Sequence, residues 1–130
     1  HKRKVKIRID PYDTWSMDHT LGLIIVPMLK QLKETKHGSP FVADEDVPEE
    51  LRSTSAPAKE NEWDIDDNHH KRWEWVIDEM IWAFEQDIDD SFPDRFWTDY
   101  VYDRDGHKKH EERIDNGILL FGKYYRGLWD

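Results

Sequence analysis

The sequence predicts a mostly helical α+β fold, with three long helices packed around one core and a small β-sheet formed by the N-terminal strand and residues 96–102. Three observations predict this class. Apolar residues recur at helical spacing in three stretches. Apolar and basic residues alternate near the N-terminus, and an aromatic-rich run precedes the turn signal DRDG. Because 130 residues suffice for one packed core, we expect a single domain over residues 1–130.

The segment KVKIRID predicts the N-terminal strand, because its apolar residues Val5, Ile7 and Ile9 alternate with basic ones. A single strand is unstable, and its best partner is FWTDYVY, residues 96–102, which is rich in β-favouring residues. The chain opens on His1 rather than methionine. We therefore expect a domain that lacks an N-terminal segment of a longer product.

Three helices follow from the spacing of the apolar residues. The first is predicted from residue 14 to about residue 36, with Gly38 as its stop. The second is predicted over residues 68–86 and the third over about residues 109–128. The residues at the centres of the three apolar faces are Ile25, Ile77 and Phe121.

Residues 38–67 are predicted to form a long acidic loop, because they contain three prolines, many acids and little periodicity. Within this loop, DVPEELRS is predicted to form one helical turn. A loop of this length is unusual in a compact domain. We therefore expect it to be functional, mobile or both.

The composition excludes several classes of protein. The chain has no cysteine, which excludes disulfide scaffolds, thiolate zinc sites, iron–sulfur clusters and cysteine nucleophiles. Its longest apolar run, LGLIIVPML, is about half of what a membrane-spanning helix needs and contains Pro27. We expect a soluble protein without a membrane partner.

The charge is strongly acidic and unevenly distributed. Nineteen Lys and Arg stand against twenty-nine Asp and Glu, a formal charge of −10. The first eight residues, HKRKVKIR, hold five of the basic residues and no acid. Residues 9–130 therefore hold fourteen basic residues and twenty-nine acids, a formal charge of −15. We expect a partner with a basic surface, and nucleic-acid binding only through the basic arm. The alternative is that the charge serves solubility and the arm folds onto the chain's own acidic surface.

Two tryptophans of the second helix are predicted to lie away from the core. On a helical wheel centred on Trp73, Trp75 and Trp82 fall on roughly the opposite side, near Glu79 and Glu85. Large aromatic side chains ringed by polar groups are typical of binding surfaces. We therefore assign Trp75, Trp82, Glu79 and Glu85 to a partner-binding surface. The alternative is that the sheet or the long loop covers this face as a second layer.

A second set of residues suggests a metal site. Asp18, His69 and His110 each lie on an apolar face near a predicted helix start, and such nitrogen and oxygen ligands bind divalent metals. If the three starts converge, the chain is a metal-dependent hydrolase of phosphate esters or nucleotides, with Glu79 or Glu111 as general base. The simpler alternative is that the acid complements a helix dipole and the histidines cap helices.

Known catalytic and ligand-binding motifs are not matched. HHKRWE departs from the HExxH pattern of metalloproteases. DIDDNHHKRWEW has His69 where a calcium loop needs glycine and Trp75 where it needs glutamate. The sequence has no GxGxxG, Walker A or GxSxG pattern. We therefore assign no catalytic residue and expect no cofactor, unless the divalent metal of the hydrolase hypothesis is present.

Three blocks of the chain resemble a family of uncharacterised proteins encoded by tailed bacteriophages. The blocks are RIDPYDTWSMDHTLGLIIVPMLKQLKETKHGSP, KENEWDIDDNHHKRWEWVIDEMIWAFEQ and RIDNGILLFGKYYRGLWD. Similar members carry an additional segment before KVKIRID. The resemblance implies a viral origin and a setting in the host bacterial cytoplasm, with the virion as the alternative. It implies no activity, cofactor or catalytic residue.

The leading hypothesis is an acidic phage-encoded interaction protein, which binds a host or viral macromolecule and needs no catalysis. Its partner surface consists of Trp75, Trp82 and the acidic loop. Two alternatives remain open: the metal-dependent hydrolase, and a virion structural component in which the basic arm mediates assembly.

Overall fold

The structure, a computed structural model, describes residues 3–89 and 92–130. Within these residues it has three α-helices and one small two-stranded antiparallel sheet, which confirms the mostly helical α+β class. The elements in chain order are α1 (Met17–Thr35), α2 (His69–Asp87), β1 (Trp97–Thr98), β2 (Val101–Tyr102) and α3 (Arg104–Lys123).

Helix α2 lies between α1 and α3 and runs antiparallel to both. Just beyond the end of α1, Lys36 Nζ contacts the carboxylate of Glu74 near the start of α2 at 2.5 Å. Near the start of α3, the ring of His110 packs on Trp82 towards the end of α2, with centroids 5.1 Å apart. The starts of α1 and α3 therefore share one end of the molecule, and the start of α2 lies at the other end.

The core forms along the apolar face of α2. Trp73, Ile77, Met80 and Phe84 recur at intervals of three or four residues and are all buried. Buried residues from α1, the long loop, α3 and the residue after α3 join them in one cluster: Val26, Leu29, Val42, Val47, Leu120 and Tyr124.

The helix bounds agree with the prediction for α2 and differ from it at the starts of α1 and α3. Helix α2 is within one residue of its predicted start and end. Helix α1 begins at Met17 because Pro11–Thr14 forms a separate 3-10 turn. Helix α3 begins earlier than predicted, at Arg104, because the Asp103 carboxylate accepts a hydrogen bond from the Gly106 N–H at 2.9 Å. The sequence DRDG is thus a helix cap rather than a turn after a strand.

The small sheet differs from the one predicted, because the N-terminal segment does not join it. Residues 3–9 contain no strand, and strands β1 and β2 form a local hairpin within residues 97–102. Asp99 and Tyr100 connect them with φ angles of 49° and 68°. Two such residues make a tight turn whose twist suits a hairpin. Pairing neighbours through this turn closes a much shorter loop than pairing with the N-terminus, and costs less entropy.

The long loop of residues 38–67 is attached to the helices. The predicted turn in DVPEELRS is present as the 3-10 turn Glu49–Leu51. Further along the loop, the carboxylate of Asp66 accepts two hydrogen bonds from the Arg72 guanidinium, at 2.8 and 2.9 Å. The Tyr124 hydroxyl accepts a hydrogen bond from the Ala43 N–H at 3.0 Å. The loop therefore covers the core along the first half of α2.

Candidate functional site

The predicted partner residue Trp82 packs inside the seam between α2 and α3. The guanidinium carbon of Arg113 lies 3.8 Å from the centre of its ring, and the His110 ring packs against it edge-on. A cation over an indole face is a favourable contact. Arg113 also makes two hydrogen bonds to the Glu79 carboxylate, at 3.1 and 2.8 Å. Helix α3, rather than the sheet or the long loop, therefore covers this part of α2.

The other two predicted partner residues also have contacts within the chain. Trp75 is half-buried and packs against the core cluster. Glu85 pairs with Lys30 of α1 at 3.2 Å. This is one of three ion pairs across the seam between α1 and α2, the others being Lys33 with Asp78 and Lys36 with Glu74. The acids on this side of α2 are thus already paired with lysines.

The three predicted metal ligands do not converge. Asp18 and His110 lie at the shared end of α1 and α3, whereas His69 begins α2 at the other end, where its Nε2 lies 3.2 Å from the Ser39 carbonyl. His69 precedes Trp82, the neighbour of His110, by a length of helix on the order of 20 Å. Across residues 3–89 and 92–130, no three His, Cys, Asp or Glu lie close enough to hold a metal ion. The condition for a metal site, that the three helix starts converge, is not met in the structure, because α2 runs antiparallel to its neighbours.

An apolar groove of about 640 Å³ opens between α1 and α3, and we call it the α1–α3 groove. The ring of Phe121 in its wall packs against the buried Phe84 of α2, with centroids 5.0 Å apart. The groove therefore lies directly over the core, beside the second half of α2. Its lining residues are Leu21, Ile25, Met28, Leu29, Leu32, Phe121, Tyr125 and Leu128.

Several apolar side chains of the groove are open to solvent. Met28 is 67% exposed and Tyr125 63% exposed, and Ile24 is exposed beside them on α1. Contiguous exposed apolar surface of this kind is uncommon on a monomer unless it is an interaction site. The groove is therefore the strongest candidate for a functional surface.

The end of the groove at the start of α1 is acidic. Asp18 precedes Leu21 by three residues on α1, and its carboxyl group interacts with that of Asp87, the last residue of α2. Burial, and then the charge of Asp18, raise the pKa of Asp87, while the nearby His19 acts in the opposite direction. A cation placed at this end would meet negative charge that is partly withdrawn from water.

Sequence reasoning missed the groove because it assigned the apolar residues of α1 to the core. A signal was present in the run GLIIVPML, which puts apolar side chains around most of the circumference of the helix. Only one face of α1 is covered by α2, and residues on other faces, such as Leu23 and Ile24, stay exposed. A helix that is apolar all round needs more than one neighbour.

No known protein family, curated protein or solved structure matches the chain. No helix among the described residues has the length and apolar character that crossing a membrane requires.

Proposed function

We propose that the chain is an interaction protein whose α1–α3 groove binds a partner segment that carries apolar side chains between basic ones. The observation that supports this most strongly is the exposed apolar groove over the core. Interaction grooves of this kind take the apolar face of a helix or extended peptide. The resemblance to phage proteins suggests that the partner is a host or viral macromolecule in the infected cell.

The chemistry of the lining favours binding over catalysis. Among the eight lining residues, Tyr125 alone has a polar side-chain group. Acid–base or nucleophilic catalysis needs titratable groups within hydrogen-bond reach of a substrate. Asp18 and Asp87 lie at one end of the groove rather than along it. The groove is therefore suited to burying apolar side chains, with its acidic end adding a charge preference.

Charge favours a basic partner. The chain outside its first eight residues carries a formal charge of −15. Such a surface attracts basic segments and repels acidic ones before contact is made. The lysines of α1 that face α2 do not reverse this preference, because each is paired with an acid of α2.

The proposal is tested with two synthetic peptides, one alternating valine with lysine and one alternating valine with glutamate. The full chain carries Val5→Ser, Ile7→Ser and Ile9→Ser, so that its own apolar and basic segment does not compete. The lysine peptide should bind at least about tenfold more tightly. Met28→Lys should weaken this binding about thirtyfold, because an anchor of an interface contributes about 2 kcal/mol.

Leu23→Lys is the matched control. Leu23 is 56% exposed on the same helix and does not line the groove, so the added charge is the same and the groove is unchanged. Binding within about threefold of the parent is expected for this variant. Failure of both peptides to bind, or equal loss in Met28→Lys and Leu23→Lys, would contradict the proposal.

A further inference from the structure

The N-terminal arm, residues 3–9, has the chemistry that the α1–α3 groove is proposed to bind. Its apolar residues Val5, Ile7 and Ile9 alternate along the chain, so that an extended conformation puts them on one side, and they are 66%, 74% and 70% exposed. Basic residues alternate with them on the other side. Three exposed aliphatic side chains in a row cost free energy in water. The arm therefore needs a surface that can cover it.

The dimensions of the arm and the groove agree. Val5 to Ile9 spans about 13 Å in an extended chain. Leu21 to Leu32, the two ends of the groove wall on α1, spans about 16 Å along the helix axis. All three apolar side chains of the arm can thus enter one groove, while its lysines and arginines stay near the rim.

The turn that follows the arm is closed by its own hydrogen bonds. Asp10 and Asp13 close this turn with reciprocal hydrogen bonds, from the Asp10 N–H to the Asp13 carboxylate at 2.8 Å and from the Asp13 N–H to the Asp10 carbonyl at 2.9 Å. Pro11 fixes its own φ angle inside the turn. With this turn closed, Val5, Ile7 and Ile9 remain 66%, 74% and 70% exposed, so the groove of the same chain does not cover them.

The hairpin is the weaker candidate for covering the arm. Each of its strands, β1 and β2, is two residues long. An added strand would therefore gain few backbone hydrogen bonds, and register is poorly specified when pairing is this short. The groove offers eight apolar lining residues instead.

We propose that the arm of one copy fills the α1–α3 groove of a second copy, so that two chains exchange arms in a closed dimer. This inference rests on the proposed function, because it names the chain's own arm as a partner of that groove. Charge favours the exchange, since the arm is basic and residues 9–130 carry a formal charge of −15. Mutual exchange uses each arm and each groove once, so the assembly closes at two copies.

The test is the oligomeric state of the full chain, measured by sedimentation over a range of concentrations. The parent should dimerise, and Ile7→Ser should raise the dissociation constant at least about tenfold, because each dimer holds two substituted arms. Lys6→Ser is the matched control in the same arm, and should leave the constant within about threefold.

A mixing experiment assigns the contact to the groove. Ile7→Ser damages the arm and Met28→Lys damages the groove, so each variant alone should be largely monomeric. Their mixture should form a heterodimer through one intact arm and one intact groove, and this heterodimer should be weaker than the parent dimer because its second contact carries both substitutions. A parent that is monomeric at all concentrations, or a dimer that Ile7→Ser does not weaken, would overturn arm exchange.

The two proposals fail in different ways. If the parent is monomeric while the valine–lysine peptide still binds in the groove, arm exchange is wrong and the proposed function stands. If the valine–lysine peptide does not bind to the chain that carries Val5→Ser, Ile7→Ser and Ile9→Ser, which we call the arm-substituted chain, the proposed function is wrong.

Discussion

The buried Arg72 and the half-buried Asp66 form an ion pair with two hydrogen bonds, at 2.8 and 2.9 Å, that ties the long loop to the side of α2. Arg72 is 1% exposed, and its third nitrogen, Nε, has no hydrogen-bond partner among the residues that the structure describes. Its Nη1 group also donates to the Leu51 carbonyl at 3.3 Å. The charge of Arg72 is therefore balanced mainly by Asp66, with Asp44 farther away at 3.9 Å.

Removing the acid should strongly destabilise the fold. Asp66→Ala leaves the buried guanidinium without its main counterion, and breaking a buried pair in this way typically costs about 3–5 kcal/mol. Asp67→Ala is the neighbouring control at an exposed position and should change the free energy of unfolding by less than about 0.5 kcal/mol. Urea denaturation measures both, and equal values for the two variants would contradict the structural role of Asp66.

The same pair predicts an acid transition. Hydrogen bonds from Arg72 lower the pKa of Asp66 from 3.8 to about 2. A carboxyl group whose pKa is lower in the folded state stabilises the fold fully above its unfolded pKa, and this contribution disappears as the pH falls through the folded value. The parent should therefore lose stability between about pH 4 and pH 2. In Asp66→Asn the loss over this interval should be smaller, and an unchanged pH dependence would exclude Asp66 as its source.

Two glycines of α3 should respond in opposite ways to alanine. A Cβ at Gly117 would lie 2.4 Å from the Ala83 Cβ and 2.7 Å from the Glu79 carbonyl oxygen, so the two helices would have to separate. Gly117→Ala should cost about 1–3 kcal/mol. Gly122 has open space around it, and Gly122→Ala should stabilise the chain by up to about 1 kcal/mol through helix propensity. Thermal unfolding should separate the two variants, and a stabilised Gly117→Ala would contradict the packing of α2 on α3.

The centres of the three apolar faces should not be equivalent. Ile77 is fully buried, and Ile77→Ala should cost about 2–5 kcal/mol. Ile25 is half-buried in the groove wall, so Ile25→Ala should cost less than about 2 kcal/mol, because part of its surface already faces water. Equal losses in chemical denaturation would mean that the groove is closed in solution.

The extent of helix α2 could be predicted from the sequence because its apolar period is regular and long. The close approach at Gly117 was also predictable, since glycine on an apolar helix face indicates a near neighbour. The start of α3 was missed because Asp103 lies in a sequence that resembles a turn. The hairpin was missed because Asp99 and Tyr100 adopt positive φ without the glycine that usually marks such a turn.

The candidate site was harder to predict for a different reason. Periodicity shows which side of a helix is apolar, but not which neighbour covers it. Trp82 was assigned to an open surface because its contacts with Arg113 and His110 depend on how α3 docks. The apolar stripe of α1 was assigned to the core because nothing in the sequence limits how much of it α2 and α3 can cover. Whether Trp82 and the apolar stripe of α1 are buried therefore depends on how elements distant in the sequence pack against them.

The most direct test of the central claim is an NMR titration of the arm-substituted chain with the valine–lysine peptide. The groove account predicts that the largest shifts fall on the methyl groups of Leu21, Ile25, Met28 and Leu128, while those of Leu23 and Leu119 stay nearly unchanged. Peptide-induced shifts centred on Trp75 and the hairpin, or spread evenly over the acidic surface, would contradict a binding site between α1 and α3.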